Sequence, residues 1–114
     1  MTVKNADVEK SKSFLISELI DYVPHAVVMK TILNKYTGNV TAISFDSGQY
    51  LPEKISPFDT LIQIIEGSAD ILIDDHSQTL ETGESIIVPA HSKNAIKANK
   101  RFKMISTIIK SGYE

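Results

Sequence analysis

From Val27 onward, apolar and β-branched residues gather in short runs separated by turn residues. VVMKTIL (27–33) is the first run, and the polar stretch from Asn34 to Gly38 supplies a turn after it. VTAISF (40–45) alternates Val40, Ala42 and Ser44 against Thr41, Ile43 and Phe45, the two-residue period of a strand. DSG at 46–48 turns the chain, with glycine where a positive φ is tolerated. YLPEKI (50–55) reads as a broken strand, because Pro52 removes a ladder donor and favours an exposed or irregular edge. Pro57 interrupts the chain again before DTLIQIIEG (59–67).

Gly67 marks the next turn, and SADILID (68–74) follows it. The residues DDHS (74–77) form a hairpin connection to HSQTL (76–80), and GESIIVP (83–89) is the next strand. AHSKN is a loop, NAIKA (94–98) a strand, NKR a turn and FKMISTIIK (102–110) the last strand. Strands therefore recur about every ten residues with turn signals between them, which predicts an all-β sandwich or barrel. No long amphipathic helix and no repeat of fixed length occurs, which argues against βαβ and solenoid folds. Ahead of the strands, residues 1–12 are polar and lysine-bearing and are expected to form a flexible arm. SFLISELIDYV (13–23) is apolar, with one helical turn expected over 18–23, capped by Ser17 and ended by Pro24. The expected organisation is an arm at 1–12 and a single domain at 13–114.

Composition adds exclusions. At 114 residues, with 42% hydrophobic and 23% charged residues, the chain suits one soluble globular domain. A net charge of -2 gives no electrostatic case for nucleic acid or an anionic membrane. There is no cysteine, hence no disulfide framework and no thiolate chemistry. No apolar run approaches the ~20 residues needed to span a bilayer, and MTVKNADVEK lacks the apolar core of a signal peptide. A cytoplasmic protein is expected.

Two stretches organise the whole. The first, GQYLPEKISPFDTLIQIIEG, runs from Gly48 to Gly67, and the second, GESIIVPAHSKNAIKA, runs from Gly83 to Ala98. Their spacing resembles the two motifs of the cupin superfamily of small β-barrels. Gly48, Gly67, Gly83 and Pro89 fall on the motifs' turn-forming positions. Lys54 and Ser56 stand where the first motif has two histidines, and Thr60 where it has glutamate. His91 takes a glycine place, Asn94 the second motif's histidine place and Ala98 its asparagine place. The resemblance, over roughly residues 27–110, implies a double-stranded β-helix (RmlC-like jelly-roll) barrel. It also implies that the usual divalent metal is absent, because the four ligand positions offer an ammonium, two hydroxyls and an amide. Transition metals call for imidazole nitrogens and carboxylate oxygens instead.

Strand parity then assigns a pocket. With Thr60 inward, Ile62 and Ile64 follow, Asn94 brings Ile96 and Ala98, and Gln63 faces out. The candidate pocket is Lys54, Ser56, Thr60, Ile62, His91, Asn94 and Met104, mostly aliphatic with polar groups at one end. Such a lining suits a small organic or anionic ligand, and it equally suits a plain core. Catalysis has one weak candidate, Lys54, as base or electrostatic anchor, with Asn94 and Ser56 orienting a substrate; a snorkelling surface lysine is the alternative. His91 is read as a displaced ligand or a loop spectator, and His25 and His76 have no neighbour at ligand spacing. Asp59 and Glu66 are read as solvated turn residues, as is the basic cluster Lys97, Lys100, Arg101 and Lys103. SFLISELI and MISTIIK carry more apolar residues than one small barrel obviously needs. Together with the habit of small cupins, this leads to an expected homodimer. Three functions stay open: a metal-free small-molecule binder, an enzyme (isomerase-like or with a rearranged metal site using His91), and an inert dimeric interaction barrel.

Overall fold

The structure, a computed structural model, describes residues 8–110. Nine strands follow one 3-10 turn: β1 (Val27–Lys35), β2 (Gly38–Phe45), β3 (Tyr50–Ile55), β4 (Thr60–Glu66), β5 (Ser68–Ile73), β6 (His76–Glu81), β7 (Ser85–Val88), β8 (Lys93–Lys97) and β9 (Phe102–Ile109). They form two antiparallel sheets, ordered β1-β2-β9-β4-β7 and β3-β8-β5-β6. Every pairing is antiparallel, and the chain crosses repeatedly between the sheets, the wiring of a jelly roll. No helix among the described residues is long and apolar enough to cross a membrane.

Alternation along each strand builds the core between the sheets. Ile43, Phe45, Ile62, Ile64, Ile71, Ile96, Phe102 and Met104 all belong to it. Phe45 and Phe102 face each other in register and stack with ring centroids 4.4 Å apart, closing one end of the barrel. The turn glycines do what their positions require: Gly48, Gly67 and Gly83 have φ of 81°, 86° and 90°. At Gly67 the space is also occupied, because a Cβ there would lie 2.8 Å from the Arg101 carbonyl oxygen.

The other face of the five-stranded sheet is covered too, by the segment before β1. Ile20 is 4% exposed and packs on Ala42 and Ile105. Hydrogen bonds fasten the segment. Ser44 Oγ donates to the Asp21 carbonyl at 2.8 Å, and Lys103 Nζ donates to the Ser17 carbonyl at 2.6 Å. Tyr22 donates to Glu66 Oε2 at 2.5 Å, while Arg101 and Lys103 lie 4.7 and 4.9 Å from the centre of its ring. Burial, then the Glu66 carboxylate, pushes the Tyr22 hydroxyl well above the ordinary phenol range.

This segment corrects several expectations. The 3-10 turn covers Ile16–Glu18, not 18–23, and Ser17 lies inside it with no capping side chain before it. An α-turn over 18–23 aims the Ser17 carbonyl along its own axis at the Asp21 N–H, whereas here that carbonyl accepts from Lys103. Lys103 is not a solvated turn residue: it is a buried residue of β9, 7% exposed. Glu66 is likewise engaged, by Tyr22 and by Lys103 at 3.9 Å, whereas Asp59 is exposed in the turn before β4, as read, and accepts the Ala90 N–H at 2.8 Å. Part of the apolar surplus in 13–23 is used within the chain, through Ile20. Phe14, Leu15, Ile16 and Val23 remain exposed. The hairpin after β1 is shorter than expected, turning at Tyr36 and Thr37 alone, and His76 opens β6. The expected arm lies mostly outside the described residues; within it, Lys12 pairs with Glu9 at 3.8 Å on the surface.

Candidate functional site

Register stacks the inward side chains in layers. Above the Phe45–Phe102 pair, Ile43 faces Met104, Thr41 faces Ser106 and Asn39 faces Ile108. From the other side of β9, Ile64 meets Met104, Ile62 meets Ser106 and Thr60 meets Ile108. Polarity thus rises with distance from the closed end, and the upper layers leave a cavity of about 180 Å³ between the sheets.

Six of the seven residues expected to share a pocket line this cavity: Lys54, Ser56, Thr60, Ile62, Asn94 and Met104. Ile62 and Met104 are buried at its base, Thr60 is half-buried, and Lys54 is exposed at the rim. Ile62, Ile64, Ile96 and Met104 do pack in the core, yet they do not fill the barrel. Lys54 sits opposite Asn94 where β3 pairs with β8, just past an irregularity in β3 between Leu51 and Lys54. That irregularity follows from Pro52, which has no N–H for the ladder. Asn94 is 5% exposed and its side-chain amide donates to the Lys54 carbonyl at 3.4 Å. Ser56 Oγ accepts the Phe58 N–H at 3.1 Å. Among the described residues Lys54 has no acidic partner.

His91 is the exception. It does not line the cavity. It is exposed, has φ of 69°, and donates its backbone N–H to the Ser56 carbonyl at 2.7 Å. The left-handed conformation suited to the glycine of the motif is kept although the residue has changed, so its side chain leaves the barrel. His25, before β1, and His76, at the start of β6, lie elsewhere on the surface. No group of three histidine, cysteine or carboxylate residues able to hold a metal ion occurs among the described residues. The donors at the four motif positions do not fit a transition metal either.

Other lining residues escaped the sequence reading: Met29 from β1, Asn39 and Thr41 from β2, Leu51 from β3, and Ser106 and Ile108 from β9. The alternation over 40–45 was a signal for Thr41, since Ile43 and Phe45 are its bulky companions on one face. In β9 no such signal exists, because both faces are buried from Phe102 to Ile105.

The layered jelly roll with a cavity opening at the two glycine-bounded motifs defines a class, the cupin-fold barrels. Solved structures agree. A conserved protein of unknown function from Streptococcus pyogenes superposes with a TM-score of 0.88 at 24% identity, covering 94% of each chain. A cupin superfamily protein from Desulfitobacterium hafniense gives 0.87 at 25% identity, covering 96% of this chain and all of its own. A cupin 2 conserved barrel domain protein from Leptotrichia buccalis gives 0.82 at 26% identity, over 85% of this chain and 47% of its own. No protein-family model and no curated protein matches the sequence. The chain has the cupin fold.

Proposed function

We propose that this barrel binds a small organic molecule between its sheets and does so without the metal ion usual in its fold. One observation carries the reading: the cavity of about 180 Å³, apolar at its base and polar at its rim, lies at the motif positions. A void of this kind suits ligand binding better than a plain core, because cores otherwise close to near-crystalline density. The donor set supports the metal-free part, since Lys54 brings a positive charge where a cation would sit.

The test uses a fragment library and methyl-labelled protein. Binders are expected to shift the methyl resonances of Ile62, Ile96 and Met104 and to raise the thermal midpoint further as ligand concentration exceeds Kd. Ser106→Leu, which places an isobutyl group in the cavity opposite Ile62 and Thr41, is expected to abolish both effects. Saturating zinc, manganese or iron should leave fragment affinity unchanged. Fragments that bind without moving any cavity methyl, or only with metal present, would overturn the reading.

A further inference from the structure

The cavity's chemistry narrows the ligand. Among the described residues its lining contains one charged side chain, Lys54, and no acidic and no aromatic residue. A lining without carboxylates offers no anion to pair with an amine or a divalent cation. Without an aromatic ring it offers no stacking platform for a base. Lys54 stands at the rim with no acidic partner among the described residues. Beside it Asn94 is buried; an amide carries two donors, and one is given to the Lys54 carbonyl. Ser56, just past β3, and Thr60, on β4 of the facing sheet, add hydroxyls to the lining. A single cation flanked by neutral donors matches a single negative charge. A phosphate dianion would bring a second charge with no partner among the described residues, where no helix N-terminus faces the cavity to meet it either. Below the rim, Ile43, Ile62, Ile96 and Met104 form an aliphatic base. An apolar cavity of about 150 Å³ takes up one benzene. The 180 Å³ here therefore fits a six-carbon ring or branched aliphatic group with its acid at the rim.

We infer that the ligand is an apolar monocarboxylate of about nine non-hydrogen atoms, its carboxylate at Lys54 and Asn94 and its hydrocarbon body on the aliphatic base. The inference rests on the small-molecule reading above and specifies its ligand class.

The experiment compares cyclohexanecarboxylate with its neutral isostere cyclohexanecarboxamide by methyl chemical-shift titration. Wild type and Lys54→Met are each titrated at low and at physiological ionic strength. Wild type is expected to prefer the carboxylate about fivefold, the scale of one exposed ion pair, and the preference shrinks as salt is added. Lys54→Met should erase the preference. Cyclohexane-1,2-dicarboxylate should bind no tighter than the monoacid, and inorganic phosphate should shift no cavity methyl. Equal affinity for acid and amide in wild type, or a preference that survives Lys54→Met, sinks the monocarboxylate assignment while the binding barrel stands. If neither compound moves a cavity methyl while other fragments do, the ligand class is wrong; if nothing does, both readings fall.

Discussion

Lys103→Met tests how the segment before β1 is held. Lys103 is 7% exposed, donates to the Ser17 carbonyl at 2.6 Å, lies 3.9 Å from Glu66 and sits over the Tyr22 ring. Methionine keeps most of the stem and removes the ammonium. The lost charge-assisted hydrogen bond is worth about 2 kcal/mol, and the lost cation–π contact adds up to about 1 kcal/mol. Against this, desolvating the ammonium is costly, and replacing buried ions by apolar groups can be neutral or stabilising. Glu66 decides the balance. Its side chain is 44% exposed, so it rehydrates when Lys103 is removed and little penalty arises from an orphaned carboxylate. Ser17 is half-buried, and water can reach its carbonyl in part. A net loss of about 2 kcal/mol follows, a fall in thermal midpoint of roughly 10 °C for a domain of this size. Urea unfolding followed by circular dichroism measures it. Glu66→Gln, which leaves the Ser17 bond in place, should cost less than half as much. A Lys103→Met protein as stable as wild type would refute the claim that this lysine fastens the segment, and would make it a desolvation burden that the fold tolerates.

Three further outcomes follow from the backbone and the phenol. His91→Gly removes a side chain from a left-handed residue and should raise stability by about 1 kcal/mol, read from the same urea curves. Gly67→Ala should cost about 3 kcal/mol, strain plus contact with the Arg101 carbonyl and Phe102. Gly83→Ala, where φ is positive but the space is open, should cost only about 1 kcal/mol; equal costs at the two glycines would remove the packing argument. Tyr22 has its folded-state pKa raised, so its contribution is whole below the unfolded value near 10 and is lost as pH climbs towards the folded one. Unfolding midpoints should therefore fall above about pH 10, and less so in Tyr22→Phe; identical alkaline profiles would show that another group sets them.

How much of this was legible depended on whether a residue's neighbours lie close in sequence or far away. The glycine turns and the parity of Thr60, Ile62 and Ile64 follow from local rules, and the structure places them as read. The cavity's far wall does not. Thr41 meets Ser106 only because β2 pairs with β9 across more than sixty residues, a register that no local pattern encodes. Lys103 was misread for a related reason. β9 is covered on both sides, by the opposite sheet and by the segment around Ile20, so its polar–apolar alternation is erased and a charged residue beside a turn looks solvated. The helical turn expected over 18–23 failed because Ser17 has the residue type of a cap, while its carbonyl belongs to a lysine eighty-six positions away.

The same layering explains how a barrel can keep its fold while its motif positions change chemistry. The energetic weight sits in the lower layers, where Phe45, Phe102, Ile62, Ile64 and Met104 are each no more than 2% exposed. The four ligand positions line the cavity above them. Lys54 is exposed, and Ser56 and Thr60 are half-buried. Substituting a rim residue trades one water-accessible group for another and costs little, whereas losing a base residue opens a void at 2–5 kcal/mol. Asn94 is the one of the four ligand positions that is buried, and there the replacement is the side chain whose amide can bond the neighbouring strand's carbonyl. Backbone geometry was retained even where the side chain was not: His91 keeps the left-handed turn of a glycine, since its N–H must still reach the Ser56 carbonyl. The glycine turns and the aliphatic base are thus what the fold requires, and the rim is free to be chosen for the ligand it meets.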